Sequence, residues 1–200
     1  MTAHSIPALK STMSMSDPSD ALSVSQSAVT DFKVRVLLVD DQLIIVEAIR
    51  RMLAGQVDVE FHYVTDSTYA EVRAEEIAPT VILQDLVMPD IDGFALIQHY
   101  RRNQKLRHVP VIVLSAKEDP KLKAHGFEVG ANDYMVKLPD QLELLARLRY
   151  HAAGYISRMQ RDEAVLLLQD CQRQLAEARL ELQRPMGGDD DASSTTRKAQ

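Results

Sequence analysis

Residues 81–93 read VILQDLVMPDIDG. An apolar run closes on Asp85, and a proline, two further aspartates and a glycine follow at once. A carboxylate buried without a partner is strongly destabilising, so Asp85 belongs at an opening, beside a cation, or both.

Working outward, the same kind of run recurs. VRVLLVD (34–40), VEFHYVT (59–65), VPVIVLS (109–115) and DYMVK (133–137) are short and rich in β-branched residues. Such runs predict strands, and strands this apolar suit a parallel sheet covered on both faces. Between them LIIVEAIRRML (43–53), FALIQHYRR (94–102) and the stretch 122–129 carry apolar residues at helical spacing. Gly55, Pro79, Gly93, Pro110, Gly130 and Pro139 punctuate the joins. Five strand–helix units in about 120 residues predict an α/β fold, a doubly wound five-stranded parallel sheet. The working site of such a sheet lies at the carboxyl ends of its strands.

The flanks differ from this pattern. Residues 1–33 form a Ser-rich tail, with eight serines and three threonines in the first thirty positions and no periodicity, and are expected to be disordered. The globular part is expected over 34–153. From Asp140 to Arg184 the only glycine is Gly154 and no proline occurs, which predicts one long helix of roughly 67 Å at about 1.5 Å per residue. Ala164, Leu168, Cys171, Leu175, Ala178 and Leu182 follow spacings of 4, 3, 4, 3 and 4, the seam of a coiled-coil stalk over 154–184. Leu145, Leu148, Ala152, Tyr155 and Met159 keep that rhythm in another register. Residues 185–200 begin with Pro185 and read as a second polar, disordered tail.

A net charge of -6 argues against a nucleic-acid partner, and no apolar stretch is long enough to span a membrane. One cysteine excludes an internal disulfide and, with no secretory signal, leads to the expectation of a cytoplasmic protein. Cys171 reads as a small seam filler, and the six histidines show no metal-binding spacing.

The expected strand ends gather a specific set of side chains. Asp40 and Asp41 end the first strand, Asp85 the third, Ser115 the fourth and Lys137 the fifth. Two carboxylates about 4 Å apart repel by roughly 4 kcal/mol at a protein surface, so three of them call for a cation. Oxygen ligands of this type favour Mg²⁺, which binds one or two carboxylates and retains sites for a phosphate oxygen. With the Lys137 ammonium and the Ser115 hydroxyl beside it, the set points to phosphoryl transfer onto Asp85. Asp90 and Asp92 read as turn residues before the helix that opens near Gly93.

On these residues the stretch from Val34 to Tyr150 resembles the receiver domain of two-component response regulators, whose fold is flavodoxin-like (CheY-like). The separations Asp41 to Asp85, Asp85 to Ser115 and Ser115 to Lys137 are 44, 30 and 22 residues, as is usual in that family. The resemblance implies Asp85 as phosphoacceptor, Asp40, Asp41 and Asp85 with the Val87 main-chain carbonyl as Mg²⁺ ligands, Ser115 as switch hydroxyl, Tyr134 as switch aromatic and Lys137 as phosphate-binding lysine. It also implies a histidine kinase or phosphotransfer protein as donor. On phosphorylation, Ser115 is expected to move toward the new oxygen and Tyr134 to turn into the space it leaves.

Two departures stand out. Receivers mostly carry proline directly after the lysine, whereas here the order is Lys137-Leu138-Pro139, so which peptide bond there, if any, is cis stays open. VILQDLVMP, GANDYMVKLPD and ARLRYHAAGYI resemble Wsp-type regulators, in which a helical stalk leads to a GGDEF diguanylate cyclase. Residues 187–190 read GGDD, but ten residues follow, so no cyclase and no enzyme is expected. The expected role is a stand-alone response regulator signalling through protein contacts or homo-oligomerisation by the stalk. The alternatives are an unphosphorylated oligomeric scaffold and a phosphoaspartate enzyme of the haloacid-dehalogenase type. The latter normally carries DxD, from which Asp40-Asp41 departs.

Overall fold

The structure is a computed structural model that describes residues 33–182. The strands are β1 (Val34–Val39), β2 (Val59–Val64), β3 (Val81–Asp85), β4 (Val111–Ser115) and β5 (Asp133–Val136). The helices are α1 (Leu43–Leu53), α2 (Ala70–Ile77), α3 (Gly93–Arg102), α4 (Pro120–Glu128) and α5 (Gln141–Leu182), with a short 3-10 turn at Ser67–Tyr69. All five strands pair parallel in the order β2-β1-β3-β4-β5, the doubly wound architecture expected.

Alternation along each strand divides the core in two. Val34, Val36 and Leu38 of β1, Val81 and Leu83 of β3, and Ile112 and Leu114 of β4 pack with Ile45, Val46 and Ile49 of α1 and Leu144, Leu145 and Leu148 of α5. The residues between them, Leu37 and Val39, Ile82, and Val111 and Val113, pack instead with Ala70 and Ala74 of α2 and Leu96, Ile97 and Tyr100 of α3. Both faces are covered over β1, β3 and β4, which is why those strands are almost wholly apolar, whereas the edge strand β2 alternates and is half-exposed.

Aspartates start several of these helices. Asp92 accepts from the Phe94 amide, Asp119 from Lys121 and Asp140 from Leu142, each satisfying a donor the helix leaves free. Pro120 occupies the first turn of α4, where its missing N–H costs nothing.

The helix α5 is continuous from Gln141 to Leu182. The chain divides into two compact units, one ending at Tyr155 and the other beginning at Ile156. In the first unit Leu145, Leu148 and Ala152 are buried in the core, so this part of the upstream apolar stripe packs on the sheet rather than forming a coiled-coil seam. The two tails, and the end of the stalk at 183–184, lie outside the described residues. Among the described residues no helix is long and apolar enough to cross a membrane.

Candidate functional site

Strand parity and register place the acids. Val34, Val36 and Leu38 share a face of β1, and the next residue in that series is Asp40; Val81 and Leu83 of β3 lead in the same way to Asp85. Val39 pairs with Gln84, so Asp40 comes alongside Asp85 at the carboxyl end of the sheet. This is the β1/β3 boundary, where the strand order reverses and helices diverge to leave a crevice. Met135 of β5 faces the same side, and two residues on Lys137 reaches across to both acids.

Asp40 and Asp85 are fully buried. Lys137 Nζ lies 3.0 Å from Asp40 Oδ2 and 2.9 Å from Asp85 Oδ2. The remaining oxygens take main-chain donors: the Gln42 amide donates to Asp40 Oδ1 at 3.0 Å and the Val87 amide to Asp85 Oδ1 at 3.3 Å. Burial lifts the Asp40 carboxyl above its ordinary range, with the nearby Asp85 charge adding to it, against the Gln42 amide and Lys137. Burial opposes the charge on Lys137, but its hydrogen bonds to Asp85 and Asp40 outweigh that, and its pKa is raised.

Asp41 completes the cluster. One carboxylate oxygen from each of Asp40, Asp41 and Asp85 lies within 4.8 Å of the others. Asp41 Oδ1 is buried and finds no hydrogen-bond partner among the described residues. One ammonium shared between two of three carboxylates leaves negative charge over, and an all-oxygen cluster with an unpartnered buried carboxylate oxygen fits a hard divalent cation such as Mg²⁺.

The comparisons agree. The response regulator receiver domain family matches residues 36–149. The chain belongs to this family. The "DNA-binding dual master transcriptional regulator RpaA" of Synechocystis is 35% identical over 117 residues, covering 58% of this chain and 47% of that protein. "Response regulator PleD" of Caulobacter vibrioides is 33% identical over 118 residues, covering 58% of this chain and 25% of that one. The chain thus spans about half or less of these curated relatives. Among solved structures, the chemotaxis protein CheY4 of Vibrio cholerae matches with a TM-score of 0.55 and 27% identity, over 59% of this chain and 98% of that one. Family membership supports a phosphoacceptor role in two-component signalling, and receiver domains bind Mg²⁺ at an acidic cluster of this kind.

The other expected residues lie near this cluster. Ser115 is buried at the end of β4, and its Oγ accepts from the Lys117 amide at 3.4 Å. Tyr134 is buried in the α3/α4 side of the core, its hydroxyl donating to the Lys117 carbonyl at 2.8 Å. Ser115 and Tyr134 thus both hold the main chain of Lys117, one through its amide and the other through its carbonyl. Val87 is exposed on the loop after Asp85. No cis peptide bond occurs among the described residues; instead Leu138 adopts a left-handed conformation, φ 57°, between Lys137 and Pro139. For a non-glycine residue that conformation costs on the order of 1–2 kcal/mol.

Sequence reasoning missed two residues behind the site. Gln84 points away from Asp85, toward α3, where its Nε2 donates to the Asp85 carbonyl at 2.9 Å and its Oε1 accepts from the Tyr100 hydroxyl at 3.0 Å. A glutamine inside a run as apolar as VILQD was the available signal. Burial pushes the Tyr100 hydroxyl far above its ordinary pKa, so it remains a donor. Gly93 also has a specific role: a Cβ there would lie 2.2 Å from the Asp85 carbonyl oxygen and 2.7 Å from Leu86 Cα. The glycine that ends VILQDLVMPDIDG lets α3 start against the backbone that carries Asp85.

Proposed function

We propose that this chain is a response regulator that accepts a phosphoryl group on Asp85 from a histidine kinase or phosphotransfer protein. The observation that carries the reading is the Asp40, Asp41 and Asp85 cluster with Lys137 bridging two of its acids and Asp41 Oδ1 left unpaired. A lone pair of the Asp85 carboxylate forms the new O–P bond as the P–N bond of the donor phosphohistidine breaks, and the imidazole keeps that electron pair and takes up a proton. Asp40 and Asp41, with Asp85 and the Val87 carbonyl, would hold Mg²⁺, which when bound neutralises charge on the phosphoryl oxygens. Lys137 supplies a second positive charge to those oxygens, and Ser115 Oγ gives up the Lys117 amide to donate to one of them. Water later hydrolyses the acyl phosphate, returning Asp85 and releasing phosphate.

The switch in this reading works by moving the Ser115–Lys117 segment, on whose carbonyl the Tyr134 hydroxyl rests. The output is protein contact, including self-association through the helix beyond Ile156. The Wsp-type stretches and that helix support a regulator of the stalked kind. The net charge of -6 supports neither nucleic acid nor an acidic membrane surface as partner, and a cytoplasmic location follows from the phosphodonor.

Incubation with acetyl phosphate and Mg²⁺ is expected to add one phosphoryl group, seen by intact mass. Asp85→Asn abolishes the addition and Asp41→Ala prevents it. Addition that persists in Asp85→Asn on another aspartate would overturn the assignment.

A further inference from the structure

In the helical unit that begins at Ile156, Leu167, Leu168, Leu175 and Leu182 are 66, 59, 66 and 87% exposed, and Cys171 is exposed between them. The seam alternates strictly in size: Ala164, Leu168, Cys171, Leu175, Ala178, Leu182. We propose that this face pairs with the same face of a second copy in antiparallel orientation. The inference deepens the self-association described above and rests on it.

Packing sets the orientation. In a parallel, in-register pair each layer meets itself, so leucine-on-leucine layers alternate with alanine-on-alanine and cysteine-on-cysteine layers. Every small layer then leaves a void, and voids forfeit contacts that close packing would make. Turning one helix round places Ala164 against Leu182 of the second copy, Leu168 against Ala178, and Cys171 against Leu175. The relation repeats in reverse, so all six layers set one large residue against one small one. The series is matched to its own reversal, whereas a seam built for parallel pairing has no need of that property. Beside the two-fold axis of the pair lie Gln172 and Gln174, which bring no like charges together. Closing four leucines and three small residues on each copy removes on the order of 1,000 Å² in total, the lower edge of what a specific pair needs. The dimer is therefore concentration-dependent, and the Ile156 ends of its helices lie at opposite ends of the pair.

Cys171 is the only cysteine of the chain, which makes the orientation readable. The full-length protein is mixed, under mild oxidation, with a mass-tagged Cys171→Ala/Leu175→Cys variant, and the disulfide-linked species are separated by mass. Antiparallel pairing brings Cys171 against position 175 of the second copy, so the mixed disulfide exceeds either homodisulfide several-fold. Homodisulfides in excess would overturn the orientation while leaving self-association standing. A monomeric mass by light scattering for both proteins at tens of micromolar would overturn self-association as well. Ala178→Leu reads the same question without cysteines: it weakens an antiparallel dimer by setting leucine on Leu168. Tighter dimerisation of that variant, by filling an alanine layer, would refute the antiparallel arrangement.

Discussion

Gly93→Ala tests how closely α3 is seated on the strand that ends in Asp85. The added methyl would stand 2.2 Å from the Asp85 carbonyl oxygen, 2.7 Å from Leu86 Cα and 3.0 Å from the Asp85 carbonyl carbon. Ordinary carbon–oxygen contacts are about 3.3 Å, so the start of α3 and the end of β3 would have to separate by about 1 Å. All three atoms are backbone, and no rotamer change relieves the clash. The helix also carries Leu96, Ile97 and Tyr100, all buried, so a shift there disturbs the core as well. An inserted methyl in a packed site costs about 1–3 kcal/mol, and the upper end applies here. At a urea m-value of about 2 kcal/mol/M, a loss of about 3 kcal/mol lowers the unfolding midpoint by about 1.5 M. Displacing Asp85 by about 1 Å should slow labelling by acetyl phosphate on the order of 10²-fold. Gly154→Ala provides the opposing control, because a Cβ there meets nothing within 4 Å and helix propensity alone should stabilise it by about 0.5–1 kcal/mol. A Gly93→Ala protein with an unchanged midpoint and labelling rate would refute the close approach.

Tyr100→Phe leaves Gln84 Oε1 buried without its donor and should cost about 1–3 kcal/mol by urea unfolding; a smaller loss than this would mean the hydrogen bond is not formed. Asp133 is held below its ordinary pKa: burial pushes its carboxyl up, but hydrogen bonds from Arg147, the Tyr134 amide and His151 outweigh it. The unfolded carboxyl titrates near about 3.9, so this contribution is complete above that pH and is lost as pH falls through the lower folded value. Arg147→Met should therefore lower stability at pH 7 and flatten the acid limb below about pH 4, measured as urea midpoints across that range.

Most of the fold was legible because β1, β3 and β4 are buried on both sides while β2 and β5 are short and rich in β-branched or aromatic residues, and these runs marked all five strands to within two residues. The error at β4 is instructive. Val109 and Pro110 are as buried as the strand, yet pairing begins at Val111, because proline brings no N–H to the ladder. The helix α2 escaped notice because only Ala70 and Ala74 of AEVRAEEI are buried, and two alanines leave no hydrophobic period to read. The 3-10 turn before it is set by Asp66, which accepts from the Thr68 amide, a signal of one residue. Asp40, Asp41, Asp85, Ser115 and Lys137 could be found because each sits at a strand end, a place the sequence announces. The Asp133–Arg147 pair could not, since it depends on where α5 crosses β5, and neither residue lies in a pattern that fixes that crossing.

The two-residue period that builds the sheet also explains why Asp85 is held from both sides. Odd positions of β3 face α1 and α5, and Asp85 is the last of them, in the crevice with Asp40 and Lys137. Gln84, one residue back, must face α3, where its side chain meets the Tyr100 hydroxyl and returns to the Asp85 carbonyl. Gly93 then brings the start of α3 against that same carbonyl. The carboxylate is left to the crevice while its own backbone is fixed from the opposite face. An acid set at the end of an apolar strand is thus tolerated on one side by an ammonium and on the other by a buried amide and hydroxyl. Moving Asp85 means moving α3, so under the proposed function phosphorylation of Asp85 would be mechanically connected to that helix.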